Sequence, residues 1–199
     1  MLVVIKFLVN ILYNTIKQKF ILSKLRNNII LIGPMGSGKT SIGKKLSKMT
    51  KFDFIDTDFL IEEKTGVDIP TIFEHEGEKG FREREEKILE DISNIKSTVI
   101  GTGGGIIISE KNRKIIQKLG FVVYLTAEIK ELVYRTEHDK NRPLINNVDA
   151  ENKMISLIKD RKKHYEKISN VTISTDNYDT VKISKIIIKN YEKYEKNNS

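Results

Sequence analysis

The residues of this chain with the clearest chemical meaning form a glycine-rich loop, Gly33-Pro34-Met35-Gly36-Ser37-Gly38-Lys39-Thr40. The apolar run 28–32 before the loop predicts a buried strand, and apolar residues recur at helical spacing from residue 41. Between a strand and a helix N-terminus, the backbone N–H groups of such a loop converge on a polyphosphate. A plain strand-to-helix turn is the alternative, but it gives the Lys-Thr pair no role.

The side chains of this phosphate loop predict separate roles. Lys39 is expected to bridge the β- and γ-phosphates and to act in catalysis, and the Thr40 hydroxyl is expected to bind Mg²⁺. The residues expected to contact the nucleotide here are Gly36, Ser37, Gly38, Lys39, Thr40 and Ser41.

Two carboxylates, Asp56 and Asp58, follow at the end of the next predicted strand, 52–56. Residues two apart in an extended chain point the same way, so both acids are expected to face the phosphate loop. We predict that Asp56 binds Mg²⁺ and that Asp58 is a catalytic residue on the acceptor side. Capping of the next helix is the alternative, and it accounts for one acid rather than two.

Arg82 and Glu85 lie three residues apart on a helix predicted from Pro70 onward. Such a pair is usually a solvated surface contact. The interruption at Gly77–Gly80 favours instead an arginine aimed into the crevice, where its paired donors suit a planar carboxylate. The residues alone leave both interpretations open.

The polar stretch 139–148 contains Arg142. A mobile loop there would exclude water, and its arginine would stabilise charge on a transferring phosphoryl group. An ordinary solvated loop is the alternative. Arg161 and Tyr165, four residues apart, share one face of the following helix.

Strands and helical segments alternate after the phosphate loop, with further strands predicted at 97–102, 121–125 and 171–174. This pattern predicts an α/β fold of three layers, with a mainly parallel central sheet covered by helices on both faces. Ligands gather at the carboxyl ends of parallel strands. The phosphate loop, the Asp-Thr-Asp segment and Gly103-Gly104-Gly105 are therefore expected to face one crevice.

The composition fits one enzyme-sized domain of 199 residues, and the lack of cysteine excludes disulfides and thiolate metal sites. The net charge is +8, but residues 1–28 contain five basic and no acidic residues, so the rest carries only +3. We therefore expect no nucleic-acid partner.

The first 26 residues are a basic, apolar extension whose role the sequence leaves open. The segment is too interrupted for a membrane-spanning helix and lacks the marks of a secretory signal. A helix lying on a membrane surface is one reading. An added helix packed on the domain, or a translation start placed too far upstream, is favoured. We predict a domain at 27–192 with a lid at about 136–148, and a tail at 193–199.

Together these motifs closely resemble those of shikimate kinases, small phosphate-loop enzymes of the nucleoside-monophosphate-kinase type. The resemblance spans about residues 29–175. The phosphate loop alone is generic, whereas the Asp-x-Asp, Phe-Arg-x-x-Glu and triple-glycine set is specific to the family. The matching segments after the loop are Phe54-Ile55-Asp56-Thr57-Asp58, Phe81-Arg82 with Glu85, Gly103-Gly104-Gly105, Arg142-Pro143-Leu144, and Arg161 with Tyr165.

The resemblance implies roles for individual residues. Glu85 would orient Arg82, Arg142 would be the lid arginine that contacts the nucleotide and acts in catalysis, and Arg135 would lie against adenine. In some members an arginine and a proline near adenine follow the last strand, where this chain has Thr175-Asp176-Asn177-Tyr178. Shikimate would contact Asp58, Arg82, Gly103, Gly104, Gly105 and Arg161, with both arginines on its carboxylate.

The activity implied by the resemblance is ATP- and Mg²⁺-dependent phosphorylation of the shikimate 3-hydroxyl, a step of chorismate and aromatic amino-acid biosynthesis. We expect a cytoplasmic monomer. A gluconate-kinase-like small-molecule kinase would share the fold, and a nucleotide-dependent binding module is the alternative outside enzymes.

Overall fold

The computed structural model describes residues 27–136, 150–176 and 179–198. The strands in these ranges are β1 (Asn28–Ile32), β2 (Asp53–Asp56), β3 (Thr98–Gly101), β4 (Gly120–Thr126) and β5 (Val171–Ser174). A short 3₁₀ turn covers Ile106–Ile108. The helices are α1 (Lys39–Thr50), α2 (Thr57–Thr65), α3 (Ile69–Asp91), α4 (Glu110–Leu119), α5 (Ile129–Thr136), α6 (Ala150–Ile168) and α7 (Thr180–Asn198).

The described strands form one sheet in the order β2-β3-β1-β4-β5, and every neighbouring pair is parallel. Each connection therefore needs a crossover, which the helices supply. The predicted α/β fold is confirmed. The strand order places the carboxyl ends of β2 and β3 beside the end of β1, from which the phosphate loop leaves.

Alternate residues of the central strands face two separate apolar layers. Ile29 and Leu31 of β1 pack under α1 and α7, whereas Ile30 and Ile32 pack under α3, α4 and α6. All four side chains are fully buried. Because a strand covered on both faces needs apolar residues at every position, the run 28–32 lacks the alternation of a half-exposed strand. The three predicted layers follow from this burial.

Helix α3 is bent at the predicted interruption. Gly77 has φ 66° and ψ −174°, outside helical values and in a region that favours glycine. Across the bend the Phe73 and Phe81 rings lie 4.7 Å apart, and Glu76 pairs with Arg84. The bend separates the first turns of α3, which pack on α2, from the part that carries Arg82 and Glu85.

Two helices are longer than the sequence predicts. Helix α1 begins at Lys39 rather than residue 41, since Gly38 already occupies its N-cap. Helix α7 continues to Asn198, past residue 193, where we expected a tail. Glu195 is 9 % exposed and accepts a hydrogen bond from Asn27, which ties the end of α7 to the start of β1.

Two predicted segments fall mostly outside the described residues, namely the extension 1–26 and the lid at 136–148, of which Thr136 alone is described. Within residues 27–136, 150–176 and 179–198, no helix has the length and apolar character needed to cross a membrane.

Asn28 joins three segments at the amino end of the sheet. Its side-chain amide donates to the carbonyls of Ile95 (2.8 Å) and Leu119 (3.0 Å), and its Oδ1 accepts from Thr98 N at 3.1 Å. The side chain is fully buried. Asn28 therefore satisfies two buried backbone groups and one partly buried carbonyl.

We predict that Asn28→Ala lowers the free energy of unfolding by about 2–4 kcal/mol, because three backbone groups, two of them in buried hydrogen bonds, lose their partner. Urea unfolding followed by circular dichroism measures the change. The matched control is Asn190→Ala, which removes an exposed amide bonded to Ile186 O in α7 and should change stability by less than about 0.5 kcal/mol. Equal effects of the two variants would contradict the assignment.

Candidate active site

The loop between β1 and α1 wraps around the N-terminus of α1. Gly38, the N-cap, has φ 85°, and Gly36 has φ 77°, left-handed conformations that favour glycine. A Cβ at residue 36 would also lie 2.8 Å from Leu132 O of α5. Lys39 is nearly buried, and its Nζ donates to Gly33 O (2.9 Å) and Pro34 O (2.8 Å). The loop thus holds its lysine over the helix N-terminus, as phosphate binding requires.

Thr40 and Asp56 form a pair of oxygen ligands beside the loop. The Thr40 hydroxyl donates to Asp56 Oδ2 at 2.8 Å, and Asp56 Oδ1 accepts from Asp58 N at 3.2 Å. A hydroxyl and a carboxylate next to a phosphate site fit Mg²⁺, which binds through one or two protein oxygens and keeps several waters. Among the described residues, no group of three or more His, Cys, Asp or Glu could hold a metal, so any cation here would depend on phosphate and water as well.

Asp56 and Asp58 do not both lie on an extended strand. Asp56 ends β2 and caps α2, so Asp58 belongs to the first turn of that helix. The expectation based on strand alternation was wrong in its geometry, and the capping alternative holds for Asp56. Asp58 still faces the crevice, because a Cβ at residue 103 would lie 2.5 Å from its Oδ1.

Three charged side chains lie very close to the backbone of the triple-glycine segment that follows β3. A Cβ at residue 105 would lie 2.3 Å from Arg82 Nη1, and one at residue 103 would lie 3.0 Å from Glu85 Oε1. Gly103 N donates to the buried Thr57 hydroxyl at 3.1 Å. A side chain at residue 103 or 105 would therefore displace Asp58, Arg82 or Glu85 from the positions that they occupy.

Arg82 and Glu85 form a buried ion pair at this segment. Arg82 Nη1 donates to Glu85 Oε2 at 2.6 Å, and the exposed Glu78 accepts from the same guanidinium at 2.9 and 3.2 Å. The Arg82 side chain is 21 % exposed and that of Glu85 0 %. The pair is therefore not the solvated surface contact that the spacing alone allowed.

Burial dominates the electrostatics of Glu85. Desolvation raises the pKa of its carboxyl to about 7, against the lowering effect of Arg82, and the negative charge of Asp58 adds to the rise. Its Oε1 atom is buried and has no hydrogen-bond partner within the described part of the chain. Glu85 is thus an acid whose protonation changes near neutral pH.

Helix α6 contacts the triple-glycine segment at Gly104. Both Tyr165 Oη (2.5 Å) and Arg161 Nη1 (3.3 Å) donate to Gly104 O. The Tyr165 ring is buried and stacks on Tyr124 at 4.8 Å. Burial raises the pKa of the Tyr165 hydroxyl far above its usual value, so it remains a donor. Arg161 and Tyr165 share one face of α6, as their spacing predicts, and that face contacts Gly104.

Arg135 lies at the other end of the crevice, where α5 ends. It donates to Glu131 Oε1 (2.8 Å) and Gly36 O (3.3 Å), and also to Thr175 O (2.8 Å) and Thr175 Oγ1 (3.1 Å). Its N–H edges are thus engaged by protein acceptors, which fixes the plane of the guanidinium.

A cavity of about 470 Å³ connects these groups at the carboxyl edge of the sheet. The sequence-predicted residues that line it are Gly36, Gly38, Lys39, Thr40, Ser41, Asp56, Asp58, Gly104 and Arg135. Ser37 is buried in the loop beneath it, and Arg82, Gly103, Gly105 and Arg161 adjoin it through the contacts described above. Arg142 lies outside the described residues.

Sequence reasoning missed other lining residues, namely Thr102, Glu131, Tyr134 and Thr136. Glu131 had a detectable signal, since it stands four residues before Arg135 on a predicted helix. Tyr134 had none, because an exposed tyrosine on a helix has no specific meaning by itself.

Comparison with known proteins agrees with this geometry. The family model described as shikimate kinase matches residues 35–192. The chain belongs to the shikimate kinase family. It is 40 % identical over 169 residues to a shikimate kinase of Vibrio cholerae, covering 85 % of this chain and 97 % of that one. A shikimate kinase of Haemophilus influenzae is 44 % identical over 154 residues, which cover 76 % of this chain and 84 % of the relative.

Two solved structures are similar to this one, the first from the same family and the second in fold only. The shikimate kinase from Acinetobacter baumannii, in complex with shikimate, superposes with a TM-score of 0.79 at 40 % identity, covering 82 % of this chain and 91 % of that one. A gluconokinase from Sinorhizobium meliloti has a TM-score of 0.56 at 16 % identity, covering 86 % and 94 % of the two chains, a likeness of fold alone.

The pKa of Glu85 predicts a pH-dependent stability. A folded-state pKa of about 7, above the ordinary 4.5, means that the folded state retains a proton that the unfolded chain loses. The associated stability is fully present below pH 4.5 and is lost as the pH rises through 7. Relative to Glu85→Gln, the wild type should lose up to about 3 kcal/mol of unfolding free energy between pH 4.5 and 8.

Urea titrations of both proteins at several pH values measure this difference. The control is Glu78→Gln, which removes the exposed carboxylate from the same arginine and should keep the wild-type pH dependence. Parallel stability profiles for the wild type and Glu85→Gln would show that Glu85 does not titrate as inferred.

Proposed function

We propose that this chain transfers the γ-phosphoryl group of ATP to the 3-hydroxyl of shikimate, giving shikimate 3-phosphate and ADP. The observation that carries the proposal is the meeting of Arg82 and Asp58 at the triple-glycine segment, beside the phosphate loop. An anion-binding group and an acceptor-side carboxylate thus lie at the same strand ends as the polyphosphate site. The shikimate bound by the relative from Acinetobacter baumannii carries a carboxylate and hydroxyls that suit these groups.

On the nucleotide side, backbone N–H groups of Gly36, Ser37 and Gly38 and the residues Lys39, Thr40 and Ser41 would bind the phosphates. The flat face of Arg135 would lie against adenine. Thr40 and Asp56 would hold Mg²⁺, which would neutralise phosphate charge when bound. Lys39 would exchange its loop carbonyls for phosphate oxygens and stabilise charge on the transferring group.

On the acceptor side, Arg82 and Arg161 would bind the shikimate carboxylate, and the backbone of Gly103, Gly104 and Gly105 would form the floor of the pocket. Asp58 would orient the acceptor hydroxyl and accept its proton. Transfer would be direct and in line, and positioning and charge stabilisation would supply the catalysis. A strong general base is not required, because the transition state of phosphoryl transfer is loose.

The lid at about 136–148 would close over the phosphates and bring Arg142 to the transferring group, which would exclude water from the reaction. We further propose a cytoplasmic monomer with the core domain at 27–192. The extension 1–26 is not needed for this chemistry, and a role at a membrane surface is the less favoured one.

A coupled assay for ADP release tests the activity. We expect shikimate-dependent release by the wild type. The Lys39→Met variant should fold normally and lose at least about 100-fold in kcat, since the lysine charge acts mainly on the transferring phosphoryl group. Release that requires gluconate or a nucleotide instead of shikimate would reassign the acceptor. No release with any acceptor would favour a binding module.

The close approach of Arg82 to Gly105 gives a second test. A methyl group at residue 105 would overlap the guanidinium, so Gly105→Ala should lower kcat/KM for shikimate roughly 10- to 100-fold by displacing the arginine. The KM for ATP should change less than about twofold, because the phosphate loop is untouched.

The matched control for this variant is Gly101→Ala in β3, where a Cβ would be 3.6 Å from the Phe54 ring, an ordinary contact. It should keep wild-type kinetics for both substrates. An unchanged kcat/KM for shikimate in Gly105→Ala would mean that the position of Arg82 does not matter to the acceptor.

A further inference from the structure

The chain segment between β5 and α7 is attached to both ends of helix α5. At the N-terminal end, Asp176 Oδ1 accepts from Glu128 N at 2.6 Å. At the C-terminal end, Arg135 donates to Thr175 O and Thr175 Oγ1. Together these contacts form an α5 clamp, made of the Asp176–Glu128 and Arg135–Thr175 hydrogen bonds. Helix α5 itself is eight residues long, about 12 Å.

Asp176 is itself held in place. The Ser174 hydroxyl donates to Asp176 Oδ2 at 2.5 Å, and Asp176 N donates to Ser174 Oγ at 3.2 Å. The Ser174 hydroxyl and the Glu128 N–H keep the pKa of the Asp176 carboxyl below its usual range, and the charge of Arg135 acts in the same direction. An ionised carboxylate at the start of α5 is also favoured by the helix dipole.

The orientation of α5 matters because its last turn carries Arg135. That guanidinium also contacts Gly36 of the phosphate loop. A helix of two turns is marginal by itself, and the one fully buried apolar side chain of α5 is Leu132, which packs with Met154. The α5 clamp therefore adds a polar restraint at the N-terminal end of α5, the end opposite to Arg135.

We propose that Asp176 is a positioning residue for nucleotide binding, because it fixes the N-terminus of α5 and thereby the place of the Arg135 guanidinium at the nucleotide end of the crevice. The proposal rests on the proposed function, in which Arg135 contacts the nucleotide. It also gives a role to the segment after β5, where this chain lacks the arginine and proline found in some family members.

The same segment offers a matched control. Asp179 Oδ1 accepts from Val181 N (2.9 Å) and Lys182 N (3.0 Å), so it caps α7 and not α5. Asp176 and Asp179 are three residues apart, exposed, and both bonded to a helix N-terminus. Only one of them restrains the helix that carries Arg135, so their alanine variants separate positioning from capping.

The experiment measures the dissociation constant of a fluorescent ADP analogue and, separately, that of shikimate. Asp176→Ala should weaken nucleotide binding roughly 5- to 20-fold, the usual effect of losing a hydrogen bond to a charged group. Shikimate binding should stay within about twofold, and so should both affinities of Asp179→Ala. Asp176→Asn, whose amide oxygen can accept the same bond, should recover most of the lost affinity. An unchanged nucleotide affinity in Asp176→Ala would overturn the proposal.

A double-variant cycle tests whether Asp176 acts through Arg135. The nucleotide affinity of Asp176→Ala with Arg135→Ala should be close to that of Arg135→Ala alone, since the arginine is then absent. If the fold-losses of nucleotide affinity from the two single variants instead multiply in the double variant, Asp176 does not act through Arg135. If Asp176→Ala does not fold, Ser174→Ala can be used instead. It removes the hydroxyl that donates to the Asp176 carboxylate and should weaken nucleotide binding about 2- to 5-fold.

The outcome is separable from that of the proposed function. The titration with the ADP analogue requires no acceptor. A wild type that binds nucleotide without phosphorylating shikimate would therefore refute shikimate as the acceptor, and the titration would still decide the role of Asp176. A wild type that binds no nucleotide would overturn both.

Discussion

The arrangement of the crevice depends on the close approach of three charged side chains to residues 103 and 105, which have no side chains of their own. Arg82 and Glu85 come from α3 and Asp58 comes from α2, and all three reach the backbone after β3 at distances that a Cβ would block. The bend at Gly77 turns α3 so that its buried ion pair meets this backbone. From α6, Tyr165 and Arg161 donate to Gly104 O. Three helices, α2, α3 and α6, thus meet at this segment.

The Arg82–Glu85 ion pair is not a strong source of stability. Burying a carboxylate costs free energy that a single arginine offsets only in part, and the raised pKa of Glu85 expresses that cost. Glu78 supplies a second, exposed carboxylate to the same guanidinium. Arg82 is therefore held in a fixed orientation before any ligand arrives, and a bound carboxylate would meet donors that need little reordering.

Much of this arrangement could be predicted from the sequence. The phosphate loop and the parallel fold depend on local patterns of glycine and apolar residues, and the bend of α3 lies at the predicted interruption. The spacing of residues along the sequence could not predict contacts between segments that are far apart in the chain. Asp56 and Asp58 were placed on an extended segment, whereas the Asp56 cap starts a helix between them. Thr175 and Asp176 carry no motif, and their role arises from the pairing of β5 with β4, which brings them to α5.

The hydrogen bonds that Lys39 makes with Gly33 O and Pro34 O have a consequence for ligand discrimination. Because the ammonium group already has neutral carbonyl partners, a ligand gains from it only by offering a stronger acceptor. Anionic phosphate oxygens are such acceptors, whereas the hydroxyls of a nucleoside or a sugar are comparable to the carbonyls they would replace. Phosphate binding as proposed for Lys39 would therefore be an exchange of partners, in which uncharged metabolites that share the nucleobase or the ribose would have no advantage over the protein's own backbone.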